Sequence, residues 1–187
     1  MVDHGIKPIR RVVTGNDAQG RSRVLIDSAA PGVKANTFKK GTGMTDIWLW
    51  ESSPAPISGE RDDGNVPFHF EPPTAGGRLR IVQSEQKPAV YDASKDTYIT
   101  AEHPPKKTEG GTWERGRQNL YTTRIHKSET VDYGILLAGE RVLITDAGEH
   151  VVKAGDVVVQ LGSWHAWSDR ICGSQMAFIM MAADFED

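Results

Sequence analysis

From Arg11 onward the chain alternates short apolar or β-branched runs with clusters of glycine, asparagine and aspartate. That is the pattern of strands joined by tight turns, and helical periodicity is scarce. Arg11–Thr14 and Arg23–Ile26 flank Gly15–Gly20 and predict a hairpin. Ile47–Trp50 predicts another strand, and Arg78–Val82 alternates polar with apolar residues as a half-buried strand does. Further strands are predicted at Leu120–His126, Tyr133–Leu137, Arg141–Thr145, His150–Val152, Val157–Gln160 and Met176–Met181. The breaks at Ala138-Gly139, Asp146-Ala147-Gly148 and Ala154-Gly155-Asp156 have tight-turn chemistry. Many short, evenly spaced strands predict an all-β barrel or sandwich. Two stretches differ. Ser53–Pro73 is proline-rich and predicts an irregular connection. Ala101–Gln118 is polar, contains Pro104-Pro105 and Gly110-Gly111, and predicts a mobile flap bordering the barrel mouth.

Candidate chemistry concentrates between Arg124 and Asp169. Side chains of a strand point to alternate faces, so His126 and Ser128 share a face, as do Asp132, Gly134 and Leu136. A turn between these runs can place His126 beside Asp132. Trp167 shares parity with His165 and is expected to wall a pocket beside it; core packing is the competing reading, and the better one for Trp164. Arg124 shares parity with His126. Inside a barrel it must pair with an acid or with an anionic substrate group, and on a bulged strand it is a surface residue. Of the remaining histidines, only His69 has a context apolar enough to be buried.

The spacing resembles the two motifs of the cupin superfamily. In the first motif, the histidine, histidine, glutamate and glycine slots hold His126, Ser128, Asp132 and Gly139, with three residues before Asp132 and six after it. In the second, Gly162, His165 and Asp169 fill the glycine, histidine and asparagine slots, and Gln160 stands where proline is usual. Gly155 resembles the opening glycine, with a gap to His165 one residue short. The chain is thus similar to small single-domain cupins, and more closely to an uncharacterised bacterial and fungal subgroup with V-D-Y-G in its first motif. Some fungal members of that subgroup sit beside polyketide-pathway genes and are described as oxidoreductases. The resemblance implies a cupin-type double-stranded β-helix (jelly roll) with extra N-terminal strands. The expected layout is one domain over 1–187, with 1–70 as the extension and 75–185 as the barrel.

The resemblance also implies a divalent metal, and here the chain departs from the full ligand set. Ser128 replaces a histidine, and neutral serine is a poor ligand beside imidazole and carboxylate. His126, Asp132 and His165 remain, the composition of a facial triad or an open catalytic zinc site. They are the expected ligands of Fe, Mn, Ni or Zn, with Asp132 and His165 also catalytic. Arg124, Ser128, Trp167 and Asp169 are expected around the substrate, Asp169 either orienting His165 or capping a turn. The implied function is a metal-dependent oxidoreductase or dioxygenase on a small carbonyl, enol or phenolic compound. The alternatives are a lyase, decarboxylase or isomerase at the same site, or a metal-free binding cupin.

Composition sets outer bounds. With 187 residues, 38% apolar and 25% charged, the chain suits one globular domain. A net charge of −3 gives no basic face for nucleic acid. No apolar run reaches a membrane span, and Met1–Lys7 lacks the apolar core of a signal peptide. The single cysteine, Cys172, excludes an internal disulfide. A cytoplasmic homodimer with a small-molecule substrate is the expectation, since edge strands invite pairing.

Overall fold

The computed structural model describes residues 5–36, 41–57, 61–84, 98–119, 121–169 and 173–186. The signal-peptide reading of the N-terminus in part, Leu120 and Cys172 fall outside them. No α-helix occurs among the described residues, and no helix there is long and apolar enough to cross a membrane. The strands of the described residues form antiparallel sheets: β1 (Arg10–Asn16), β2 (Ser22–Ala29), β3 (Gly32–Ala35), β4 (Gly43–Trp50), β5 (Gly77–Ser84), β6 (Tyr98–Lys107), β7 (Thr112–Asn119), β8 (His126–Ser128), β9 (Thr130–Thr145), β10 (Gly148–Lys153), β11 (Val157–Leu161), β12 (Ala166–Ser168) and β13 (Ser174–Ala182). This is the all-β architecture of antiparallel strands expected from the sequence.

The long strand β9 joins the two sheets. Its first half pairs with β11 and β13, and the order continues from β13 through β5 and β4 to β3. Its second half pairs with β10 and β12. The expected turn at Ala138-Gly139 is instead a bulge inside β9: Gln175 faces Ala138 but Met176 faces Leu136, so Leu137 is the extra residue. A bulge bends a strand and resets which face its side chains occupy. Gly139 has φ +75°, and a Cβ there would run into the Gly173 carbonyl, so glycine is required.

Cross-strand partners lie on the same face of a sheet, so the registers define the interior. Leu136 faces Met176, and Gly134 faces both Phe178 and Val158. Beyond the bulge, Leu143 faces Trp167, and Val152 faces Arg141. Leu136, Val152, Trp167, Met176 and Phe178 are the buried core, with Val82, Leu143, Val158 and Met180 against it. Gly134, the glycine of V-D-Y-G, leaves room for this packing: a Cβ there would stand 2.6 Å from Met176 Cε.

The polarity of Arg78–Val82 is the reverse of the expectation. Arg80 faces Phe178 and Arg78 faces Met180, so both guanidinium groups point inward. Arg80 is met by Asp46, which accepts from Nε at 2.6 Å and Nη2 at 3.1 Å. Both arginines also donate to carbonyls of the 69–71 connection: Arg78 to His69 and Glu71, Arg80 to His69 and Phe70. His69 therefore contributes its backbone, and its side chain is exposed rather than buried. On the other face of β5, Gln83 donates to the Lys7 carbonyl. Arg11 of β1 reaches Asp62 and the Ile47 carbonyl.

The expected flap is a hairpin. β6 and β7 pair on either side of an irregularity at 103–105, and β8 completes a three-stranded sheet. Its polar sequence misleads because backbone hydrogen bonds, not apolar burial, hold it. Bridges at Thr122↔Ser168 and His126↔His165 stitch this sheet to β12.

A buried charge left without its partner is strongly destabilising, typically by about 3–5 kcal/mol. Asp46→Ala, which strands Arg80, should lower stability by about that much in urea titration. A loss below about 1 kcal/mol would contradict the pairing described here.

Candidate functional site

Two imidazoles stand side by side at the seam between β8 and β12. His126 and His165 exchange both backbone hydrogen bonds, at 2.8 and 2.9 Å, so their side chains share one face. Their ring centroids are 4.3 Å apart and tilted by 52°. Each ring is held the same way: His126 Nδ1 donates to the Arg124 carbonyl and His165 Nδ1 to the Ser163 carbonyl, both at 2.8 Å. A neutral imidazole carries one proton, so each Nε2 is the unprotonated nitrogen. Burial drives both pKa values down. His165, nearly fully buried, falls to about 3 with the neighbouring His126 adding to the effect, and the Arg124 carbonyl only partly offsets the fall at His126.

Asp132 is on the interior face of β9, across from Gln160 on β11 and Met180 on β13. It is 8% exposed, and burial raises its pKa to about 6 against a lowering hydrogen bond from Thr130. Its Oδ1 has no hydrogen-bond partner. Ser128 bonds to Thr130 Oγ1 at 2.7 Å, so its hydroxyl is turned along the strand.

The structure thus brings His126 and His165 together. Among the described residues, no three His, Cys, Asp or Glu side chains form a group that could hold a metal. His126 lies in β8 and His165 just before β12, and the registers put Asp132 between β11 and β13. Catalytic zinc and facial-triad sites use three protein ligands, so the residues as placed do not fit a divalent ion.

The other expected residues are distributed as follows. Trp167 is 4% exposed, edge-on to His165 at 6.4 Å and to Phe178 at 5.7 Å, so it joins the site to the core. Arg124 takes its surface alternative: its side chain is exposed, with Nε donating to Gln118 at 3.3 Å and Glu114 3.9 Å from Nη1. Asp169 is buried, but His165 is oriented by the Ser163 carbonyl, and the charge that Asp169 stabilises is Arg141. Arg141 was missed. Burial lowers its pKa to about 10 against the attraction of Asp169, and it lies 5.6 Å over Trp167. Its signal was its parity with Leu143. Gln160 was noted only as a departure from the motif; its parity with Val158 put it inside.

No family model matches the chain. It is 40% identical over 62 residues to "Phomopsin biosynthesis cluster protein C'" of Diaporthe leptostromiformis, covering 32% of this chain and 33% of that protein. It is 33% identical over 123 residues to "Oryzines biosynthesis cluster protein J" of Aspergillus oryzae, covering 61% and 62%. It is 46% identical over 44 residues to "Cupin-domain-containing oxidoreductase virC" of Hypocrea virens, covering 23% of each. The matches span less than two thirds of each of these relatives. Among solved structures, the Cnp3 cupin domain of Schizosaccharomyces pombe matches with a TM-score of 0.41 at 10% identity, covering 92% of this chain and 87% of that one. The neighbours of this chain in sequence and fold include cupin-domain proteins.

The titrations of these groups give opposed pH dependences. Asp132 binds its proton more tightly when folded, so its contribution is full below pH 3.8 and is lost as pH rises through about 6. His165 binds its proton less tightly when folded, so its contribution is full above 6.5 and is lost as pH falls towards 3. Asp132→Asn should therefore stabilise the protein at pH 7.5, by on the order of 2–3 kcal/mol, and have little effect at pH 3.5. Thermal melts at the two pH values read this directly. Equal effects at both would contradict the burial of an uncompensated carboxylate.

Proposed function

We propose that this cupin-type barrel is an enzyme acting on a small organic substrate, an enol, phenol or carbonyl compound, by proton transfer beside the His126–His165 pair. The observation that carries the reading is the pair itself: two neutral imidazoles, each with Nδ1 tied to a backbone carbonyl and Nε2 left as an acceptor. A substrate O–H donates to such a nitrogen, so the pair serves to bind and orient. His165 is too weak a base for neutral pH, whereas a general acid or base works best with a pKa near the working pH. Asp132, at about 6, meets that condition. It takes the substrate proton as carboxylate and returns it as the acid, giving isomerase, lyase or decarboxylase chemistry. Trp167 backs His165 and keeps water from that side.

A metal-dependent oxidation is the second reading, favoured by the relative named as an oxidoreductase. It needs a third ligand that the described residues do not bring to the histidines. As partner the reading takes a second copy of this chain. Its support is β11, which among the described residues pairs on one side only and leaves Val157, Val159 and Leu161 more than half exposed.

On a panel of β-keto acids, enols and phenols, turnover should survive exhaustive chelation, and Asp132→Asn should lower kcat by about 10²–10⁴-fold. His165→Ala should raise KM and lower kcat together. A wild type that holds one equivalent of Fe, Mn, Ni or Zn, consumes O₂, and loses both on His165→Ala establishes the metal reading instead. A light-scattering mass of one chain would remove the homodimer.

A further inference from the structure

Gln160 is the least explained polar residue of the interior. It is 5% exposed, yet both Oε1 and Nε2 lack hydrogen-bond partners. Its cross-strand partner is Asp132, whose Oδ1 is likewise unpartnered and whose exposure is 8%. Two adjacent side chains, each more than nine-tenths buried, therefore hold two idle acceptors and an idle amide donor on one face of the barrel. Buried polar groups in native proteins nearly always have partners, and a cluster of exceptions calls for a ligand or water.

The donor and acceptor types specify what fits. A primary amide places its carbonyl oxygen and N–H₂ side by side in one plane. The complement is another amide in the cis arrangement, whose N–H meets Gln160 Oε1 while its C=O accepts from Gln160 Nε2. Asp132 Oδ1 then accepts from an adjoining hydroxyl or N–H. A carboxylate ligand lacks the N–H, which would leave Oε1 unpaired, and it would set a second anion beside Asp132. A neutral lactam satisfies both ends of the side chain at once.

We infer that Gln160, assisted by Asp132, is a specificity-determining residue that docks the cis-amide edge of a neutral, lactam-bearing substrate. The inference rests on the enzyme reading above and deepens it by naming a substrate class. In register, Gln160 lies beside Asp132, and Thr130 links Asp132 to Ser128, two residues from His126. A substrate docked at Gln160 would thus be held at one end while its reactive part extends towards the histidines.

The test uses the full chain with three probes of similar shape: 2-pyrrolidinone, its N-methyl derivative and cyclopentanone. Affinities are read by ligand-observed NMR titration. The expected result is saturable binding of 2-pyrrolidinone, with both analogues at least tenfold weaker. Gln160→Leu should weaken 2-pyrrolidinone at least tenfold and melt no lower than the wild type, because it removes two unpaired polar atoms. A purely structural glutamine would give the opposite melting shift. His165→Ala should still bind the probe, which separates this inference from the proton-transfer reading. Equal affinity for 2-pyrrolidinone and its N-methyl derivative, unchanged binding in Gln160→Leu, or no saturable binding by the wild type would each overturn it. Turnover that persists in His165→Ala would count against the enzyme reading alone.

Discussion

The molecule depends on one strand being shared by two sheets. β9 pairs with β11 and β13 in its first half and with β10 and β12 in its second, and the bulge at Leu137 makes that exchange possible. Because side chains alternate, one extra residue moves the inward set from even to odd positions. Asp132, Gly134 and Leu136 face the interior before it, and Arg141 and Leu143 after it. Without the bulge, either Leu136 or Leu143 would be turned outwards, and the core that unites the two sheets would be halved. Gly139, for which any side chain would meet the Gly173 carbonyl, is fixed by the same bend.

The same registers place the polar groups. The histidines form the bridge beside β8 and β12, and Asp132 pairs with Gln160 across β9 and β11. Each group is buried without an opposite charge close enough to restore its ordinary pKa, so the imidazoles become weaker bases and the carboxyl a weaker acid. At neutral pH that leaves neutral imidazole acceptors and a poised carboxylate. Elsewhere inside, Asp46 meets Arg80 directly, and Asp169 only partly offsets the burial of Arg141. The contrast between matched and unmatched charge marks the site more clearly than residue type does.

Much of the fold was legible in the sequence. Period-two alternation located most strands, and the spacing of His126, Asp132, Gly139, Gly162 and His165 pointed to the jelly roll. Three features were hidden for physical reasons. The hairpin β6–β7 is polar and is held by its backbone, which leaves no apolar pattern to read. Arg78 and Arg80 look like surface residues because an arginine can be buried only when a partner such as Asp46 arrives from a distant strand. The meeting of His126 with His165 followed from both motifs, but the pairing of Asp132 with Gln160 depends on register, which spacing alone does not determine.

The central claim is that His126 and His165 are both neutral at physiological pH, protonated at Nδ1 and free to accept at Nε2. Nitrogen-15 NMR of histidine-labelled protein, prepared without added metal, tests it most directly. The account requires both rings to show the Nδ1–H tautomer at pH 7, and His165 to keep it at pH 5. An imidazolium signal from His165 at pH 5, or an Nε2–H tautomer for either ring, would contradict it.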